Sequence, residues 1–123
     1  MHTEDWQRFV ILEHDHPFLH WDLLIQNGSV LNAWRLLQPV HPGKWIAAET
    51  LPEHRLLYLD YEGPVSQNRG SVRRLVQGQC CQVSAESDSA EPNEQRWRIR
   101  DADGIQLAAR RQLPDGQPQW RFE

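Results

Sequence analysis

The chain has 123 residues, 39% of them hydrophobic, with six tryptophans, which is enough for one folded domain with a single modest core over residues 1–123. No apolar run approaches the length of a membrane span and no basic-then-apolar leader opens the sequence, so a cytoplasmic protein with no membrane partner is expected. The net charge of −4 argues against a general nucleic-acid coat protein. The charge is uneven: residues 1–68 carry nine acidic and four basic side chains, residues 69–123 eight and nine. Twelve of the thirteen basic residues are arginine, which suits bidentate phosphate contacts and equally reflects a compositional bias.

Strands dominate the pattern in chain order. Residues 8–14 are rich in aromatic and branched side chains, and Asp15-His16-Pro17 signals a turn. Residues 19–26 alternate, with Leu19, Trp21, Leu23 and Ile25 on one face and His20, Asp22, Leu24 and Gln26 on the other. Asn27-Gly28 is a strong hairpin signal, since both central positions of a type I′ turn need positive φ. Residues 30–37 form the return strand. Residues 38–44 read as a loop and 45–50 as a short strand, which Pro52-Glu53-His54 interrupts.

Extended character resumes over 55–61 and ends at Glu62-Gly63-Pro64. A polar loop follows at 67–70, then strands at 71–77 and 79–85. The adjacent Cys80 and Cys81 would point to opposite faces of a strand, so they are expected to be reduced and structural. Residues 86–94 are polar and acidic, the best candidate for a mobile surface loop. Residues 96–100 place Trp97 and Ile99 on one face, Asp103-Gly104 marks a second tight hairpin, and strands over 105–111 and 119–122 close the chain. The expected fold is all-β: a compact single-domain β-barrel of about eight short strands with little helix.

One cluster carries chemistry. His20 and Asp22 are two apart on a strand and share a face, and His14 ends the strand before the turn. If the two strands pair, His14 lies beside them at cross-strand distance. Two imidazoles and a carboxylate can bind one divalent metal and leave positions open for water or substrate. The plainer account is that surface histidines near a turn are ordinary and that Asp22 bonds a backbone amide. His54, at another strand mouth, is a candidate fourth member, while His16 and His41 read as solvent-exposed. Trp21, Trp34, Trp97 and Trp120 read as core residues, with base-stacking platforms the alternative.

The residues from Arg8 through His14 to Leu23 resemble the 3′-phosphoesterase domain of bacterial DNA ligase D and its stand-alone relatives. The shared pattern is Phe9-Val10 in an extended strand, Glu13-His14, five residues, His20, the aromatic Trp21, Asp22 and the apolar Leu23. It continues through Asn27-Gly28, Leu31 and Trp34, returns at Glu53-His54 and at Asp60-Tyr61-Glu62-Gly63, and thins beyond residue 76.

The resemblance implies a β-barrel that trims 3′ ends of DNA or of RNA–DNA primer-templates, removing a ribonucleoside and then a 3′-phosphate. It implies that His14, His20 and Asp22 hold manganese (zinc or another transition metal is the alternative). It implies that His54 stands beside the metal and helps bind the scissile phosphate. A ligase or polymerase encoded elsewhere is the implied protein partner.

The chain departs from the family around the phosphate. Leu24 stands where an arginine is usual, Lys44-Trp45-Ile46 where a basic strand residue is usual, and Pro52 where an acidic residue is usual; Leu37-Gln38-Pro39 replaces a proline-lysine-glycine. Arg8, Arg35 and Arg55 are candidate substitutes. Arg55 is first by adjacency to His54, although strand alternation turns it to the other face. Two rival readings follow. One is a binding module of the same fold that has lost catalysis; the other, ranked last, is a non-haem iron enzyme using His20, Asp22 and His54.

Overall fold

The structure, a computed structural model, describes residues 6–83, 94–101 and 105–123. The acidic segment 86–94, apart from Glu94, and the Asp103-Gly104 turn lie outside the described residues. The strands are β1 (Gln7–His14), β2 (His20–Asn27), β3 (Val30–Leu36), β4 (Ile46–Arg55), β5 (Gly63–Pro64), β6 (Ser71–Gln82), β7 (Glu94–Asp101), β8 (Leu107–Gln112) and β9 (Pro118–Phe122). They pair in the order β1-β2-β3-β4-β9-β8-β7-β6, and β6 returns to β1, which closes an eight-stranded antiparallel barrel. The short β5 pairs with β6 outside that ring. Among the described residues, no helix is long and apolar enough to cross a membrane.

Alternation fills the interior as expected. Leu23 and Ile25 point inward from β2, Trp97 and Ile99 from β7, and Trp34 and Leu36 from β3. Trp120 sits at the centre with no exposure, its ring 4.9 Å from that of Trp34 and 4.8 Å from that of Trp97. Trp21 packs against the same core. Trp6 and Trp45 differ: each is half-buried under arginines, Arg100 at 3.9 Å over Trp6 and Arg111 at 4.1 Å over Trp45. Cys80 and Cys81 are both free and buried. Burial, with Cys81 alongside, pushes the Cys80 thiol up to about 12, which leaves it unreactive as a nucleophile.

Three local readings of the sequence need correction. The hairpin loop is Gly28-Ser29 rather than Asn27-Gly28: Asn27 pairs with Val30, and only Gly28 takes a positive φ, +63°. β4 runs through Pro52 without a break. Between Leu31 and Ala33 its register gains one residue, so Pro52-Glu53 sit in a bulge, and this stretch of β4 pairs only with β3. A proline without an N–H is tolerated at a bulge on an otherwise unpaired edge.

Residues 56–59, expected to be extended, form a 3-10 turn (Leu56–Leu59). Residues three apart eclipse in such a turn, so Leu56 and Leu59 turn toward the barrel while Leu57 stays exposed. The two strands expected over 71–85 are one strand, β6. Its bulge at Leu75 lets Val72 face outward and Val76 inward.

That bulge and the 3-10 turn build a second, smaller apolar cluster on the outside of the barrel. Val10, Leu12, Leu24, Leu31 and Ala33 face outward from β1–β3, and Leu59, Val65 and Val72 cover them. The chain from 56 to 70 thus lies across the outer wall. The conserved parity of β1 and β2 carries this outer face on to His14, His20 and Asp22 at its edge.

Candidate metal centre

His14 is the last residue of β1 and His20 the first of β2, and they are direct cross-strand partners. Asp22 lies two residues further along β2, opposite Leu12, on the same face. The turn between the strands, which contains a cis His16–Pro17 peptide bond, is tied to the covering segment. Ser71 donates its backbone N–H to Asp15 Oδ1 at 2.8 Å, and Gly70 packs so close that a Cβ there would lie 2.1 Å from the same oxygen. Gly70 also holds φ at +73°, a second reason for glycine.

The hydrogen bonds fix both imidazoles. His20 Nδ1 lies 2.8 Å from the Phe18 carbonyl, and His14 Nε2 lies 2.8 Å from the Arg69 carbonyl. A carbonyl only accepts, so those two nitrogens carry the hydrogens. The other two nitrogens face Asp22: His14 Nδ1–H donates to Oδ2 at 3.1 Å when the ring is charged, and His20 Nε2 lies 3.0 Å from Oδ1; loss of the proton from each frees a lone pair beside the carboxylate. Metal-binding histidines are commonly held this way, the remote N–H given to a carbonyl or carboxylate.

Asp22 is 4% exposed and His20 1%, while the His14 side chain is 17% exposed and forms the open side. Asp22 Oδ1 is buried with no hydrogen-bond partner, because His20 Nε2 approaches it at ion-pair distance without hydrogen-bond geometry. A buried carboxylate oxygen that accepts no hydrogen bond and has only an imidazole beside it is well suited to a cation. One ligand atom from each of the three residues lies within 4.8 Å of the others, near the spacing that a shared cation imposes at about 2.0–2.2 Å from each. The donor set of two imidazoles and one carboxylate fits manganese, zinc or iron.

The three groups are electrostatically coupled. Burial alone would push the Asp22 carboxyl up, but His14 and His20 more than offset it and hold the group at about 2. His14 is raised above its ordinary value by its bond to Asp22, against the opposing effect of burial and with help from the Arg69 carbonyl.

The other histidines stand apart. His16 and His41 are exposed, as expected. The expectation that His54 stands beside the cluster is corrected by the register. His54 faces Leu31, and Leu31 faces Gln26, four residues along β2 from Asp22 and on the order of 13 Å away. β4 runs antiparallel to β3, so it leaves the cluster as it approaches His54. There His54 donates Nδ1–H to the Pro52 carbonyl at 2.9 Å and meets the edge of the Tyr58 ring. Arg55 is exposed, opposite Val30 at the same far end, and Arg8 is committed to Asp60 at 2.7 Å.

The residue that lies next to the cluster is Arg35. It is the direct β3 partner of Asp22, with Glu49 beyond it on β4. Leu24 is fully buried in the outer apolar cluster.

Comparison of the chain with protein-family models finds no match, and comparison with curated proteins finds none. The functional reading therefore rests on the geometry of the site and on the motif order in the sequence.

Proposed function

We propose that the protein is a divalent-metal phosphoesterase acting on 3′ ends of DNA or of RNA–DNA primer-templates, with His14, His20 and Asp22 as the metal ligands. The observation that carries the reading is the buried Asp22 carboxylate, whose Oδ1 has only His20 Nε2 beside it, set against two imidazoles whose remote nitrogens are already held by the Phe18 and Arg69 carbonyls. The phosphate-ester substrate is supported by the motif order from Phe9 to Gly63. A bound divalent cation would supply neutralisation of phosphate oxygens and a lowered pKa for an attacking water. The chain's own residues orient that chemistry. Phe18 and Arg69 lock the imidazole rings, Asp22 keeps its negative charge throughout the physiological range, and the open side at His14 leaves an approach from solvent.

The test is release of 3′-phosphate from a primer-template with manganese, comparing wild type with His20→Ala. Loss of turnover in the variant with the fold retained supports the assignment; equal activity in the two proteins sinks it.

A second reading is supported by Leu24 and His54. The first is buried in the outer apolar cluster and the second lies at the far end of the wall, which favours a site without phosphate contacts from these two positions. On this reading the barrel keeps the metal and recognises an end or a protein without cleaving. Metal binding with no turnover on any 3′-blocked substrate favours it.

A further inference from the structure

The geometry points to Arg35 as the group that grips the phosphate of this site, a role assigned on top of the metal-phosphoesterase reading and resting on it. Asp22 and Arg35 are opposite charges on directly paired positions of β2 and β3, so their side chains leave the same face about 5 Å apart. They do not form an ion pair. Both Asp22 oxygens turn toward β1 and the histidines. The Arg35 guanidinium lies instead over the Phe18 ring, 5.3 Å from its centroid, and that ring in turn meets the His20 imidazole at 5.5 Å.

Phe18 thus does two things at once: its carbonyl fixes the His20 ring, and its own ring shelves Arg35. The arrangement holds a guanidinium beside the carboxylate without letting the two neutralise each other.

The guanidinium is also under-compensated. Its Nε is buried with no acceptor, and its ion pair with Glu49 is 3.8 Å long, beyond hydrogen-bond reach. The side chain is 23% exposed, so it is not sealed from solvent. A planar fork of N–H donors, partly dried and already positioned, matches two oxygens of a phosphate. On the opposite side of the cluster Arg74 faces outward too and has an equally long ion pair, with Glu62 at 3.8 Å, but it also donates to the Leu59 carbonyl at 3.4 Å. The ligand is therefore a phosphate monoester or inorganic phosphate, bridging the metal position and the Arg35 Nη edge. Arg35 supplies from β3 the positive charge that Leu24 cannot supply from β2.

The experiment titrates inorganic phosphate into manganese-loaded wild type, Arg35→Gln and Arg35→Lys, with manganese affinity read separately by the loss of its free-ion spin-resonance signal. All three proteins are expected to bind manganese within about twofold of one another. Phosphate affinity is expected to fall about 10- to 100-fold in Arg35→Gln, the loss of charge-assisted hydrogen bonds, and by less in Arg35→Lys, which keeps charge but not the fork. In turnover the loss should appear in KM more than in kcat.

Phosphate affinity and KM unchanged in both variants, with manganese binding intact, would overturn the role of Arg35 while leaving the metal reading standing. A wild type that binds no manganese overturns the metal reading and this inference together. If Arg35→Gln does not fold, Arg35→Lys decides alone, and wild-type phosphate affinity and KM in that variant overturn the inference.

Discussion

Asp22 and Arg35 face each other across β2 and β3 and yet form no ion pair, the carboxylate lying against two histidines and the guanidinium over the Phe18 ring. Opposite charges at a cross-strand position ordinarily pair. Here each is held by a separate set of partners, and the carboxylate shares its two oxygens with the two imidazoles that would join it as metal ligands. Asp22→Asn should therefore abolish the stabilisation that manganese gives. At metal 100-fold above its dissociation constant that stabilisation is about 2.7 kcal/mol. Thermal melts with manganese and with a chelator should differ for wild type and coincide for Asp22→Asn.

The pH dependence has a definite sign in the metal-free protein. Asp22 is held at about 2, below its ordinary 3.8, so its contribution is present above pH 3.8 and is lost as pH falls toward 2. A shift of that size corresponds to about 2 kcal/mol. His14 is raised above 6.5, so its contribution is present below pH 6.5 and is lost as pH rises through the raised value. Melting temperature in chelator should be highest between about pH 4 and 6.5. His14→Gln should remove the fall on the alkaline side; a variant that keeps the full fall would show that His14 is not its source.

Metal affinity should run the other way across the same range. A ligand must shed its proton to bind a cation, and His14 holds its proton above the ordinary pH. Manganese affinity should rise with pH through the His14 value and then level. Flat affinity from pH 6 to 8 would exclude His14 as a ligand.

Gly70 locks the covering segment against the turn that carries the site. Gly70→Ala places a Cβ on Asp15 Oδ1 and demands a positive φ from an alanine. The expected cost is about 1–3 kcal/mol. Because Arg69 must move with it, manganese affinity should fall about 10-fold with all three ligands still present. A chemical-denaturation curve and a metal titration on the same variant check both parts.

An arginine at position 24 should not create a phosphate site. Leu24 is enclosed by the outer apolar cluster, so Leu24→Arg buries a charge without a partner. A loss of about 3 kcal/mol or more is expected. A stable Leu24→Arg variant with faster turnover would show instead that the covering segment opens readily.

Much of the barrel was legible because alternation is a strong signal where one face is buried. The inward set Leu23, Ile25, Trp97 and Ile99 follows from parity alone. The pairing of His14 with His20 followed from parity plus one turn. The hairpin also encodes Arg35. With a two-residue loop after Asn27, five steps back and five steps forward place Asp22 opposite Arg35. Reading the loop one residue early hides that pair.

Two things were not legible for physical reasons. Pro52 signals a break by its missing N–H, and only the pairing pattern reveals that β4 has a free edge there. The outer cluster depends on contacts between residues 10–33 and 56–72, which no local periodicity encodes. His54 was drawn to the site by motif order, whereas the register puts it at the other end of the wall.

The most direct measurement is a manganese titration, by calorimetry at neutral pH, of wild type, His20→Ala and His54→Ala. One site per chain is expected in wild type and in His54→Ala, with affinities within about twofold. In His20→Ala the affinity should fall more than about 100-fold, beyond the 10- to 100-fold typical of losing a partner of a ligand rather than the ligand itself. Equal affinity in wild type and His20→Ala, or no saturable site in wild type, would contradict the assignment of His14, His20 and Asp22 as a metal centre.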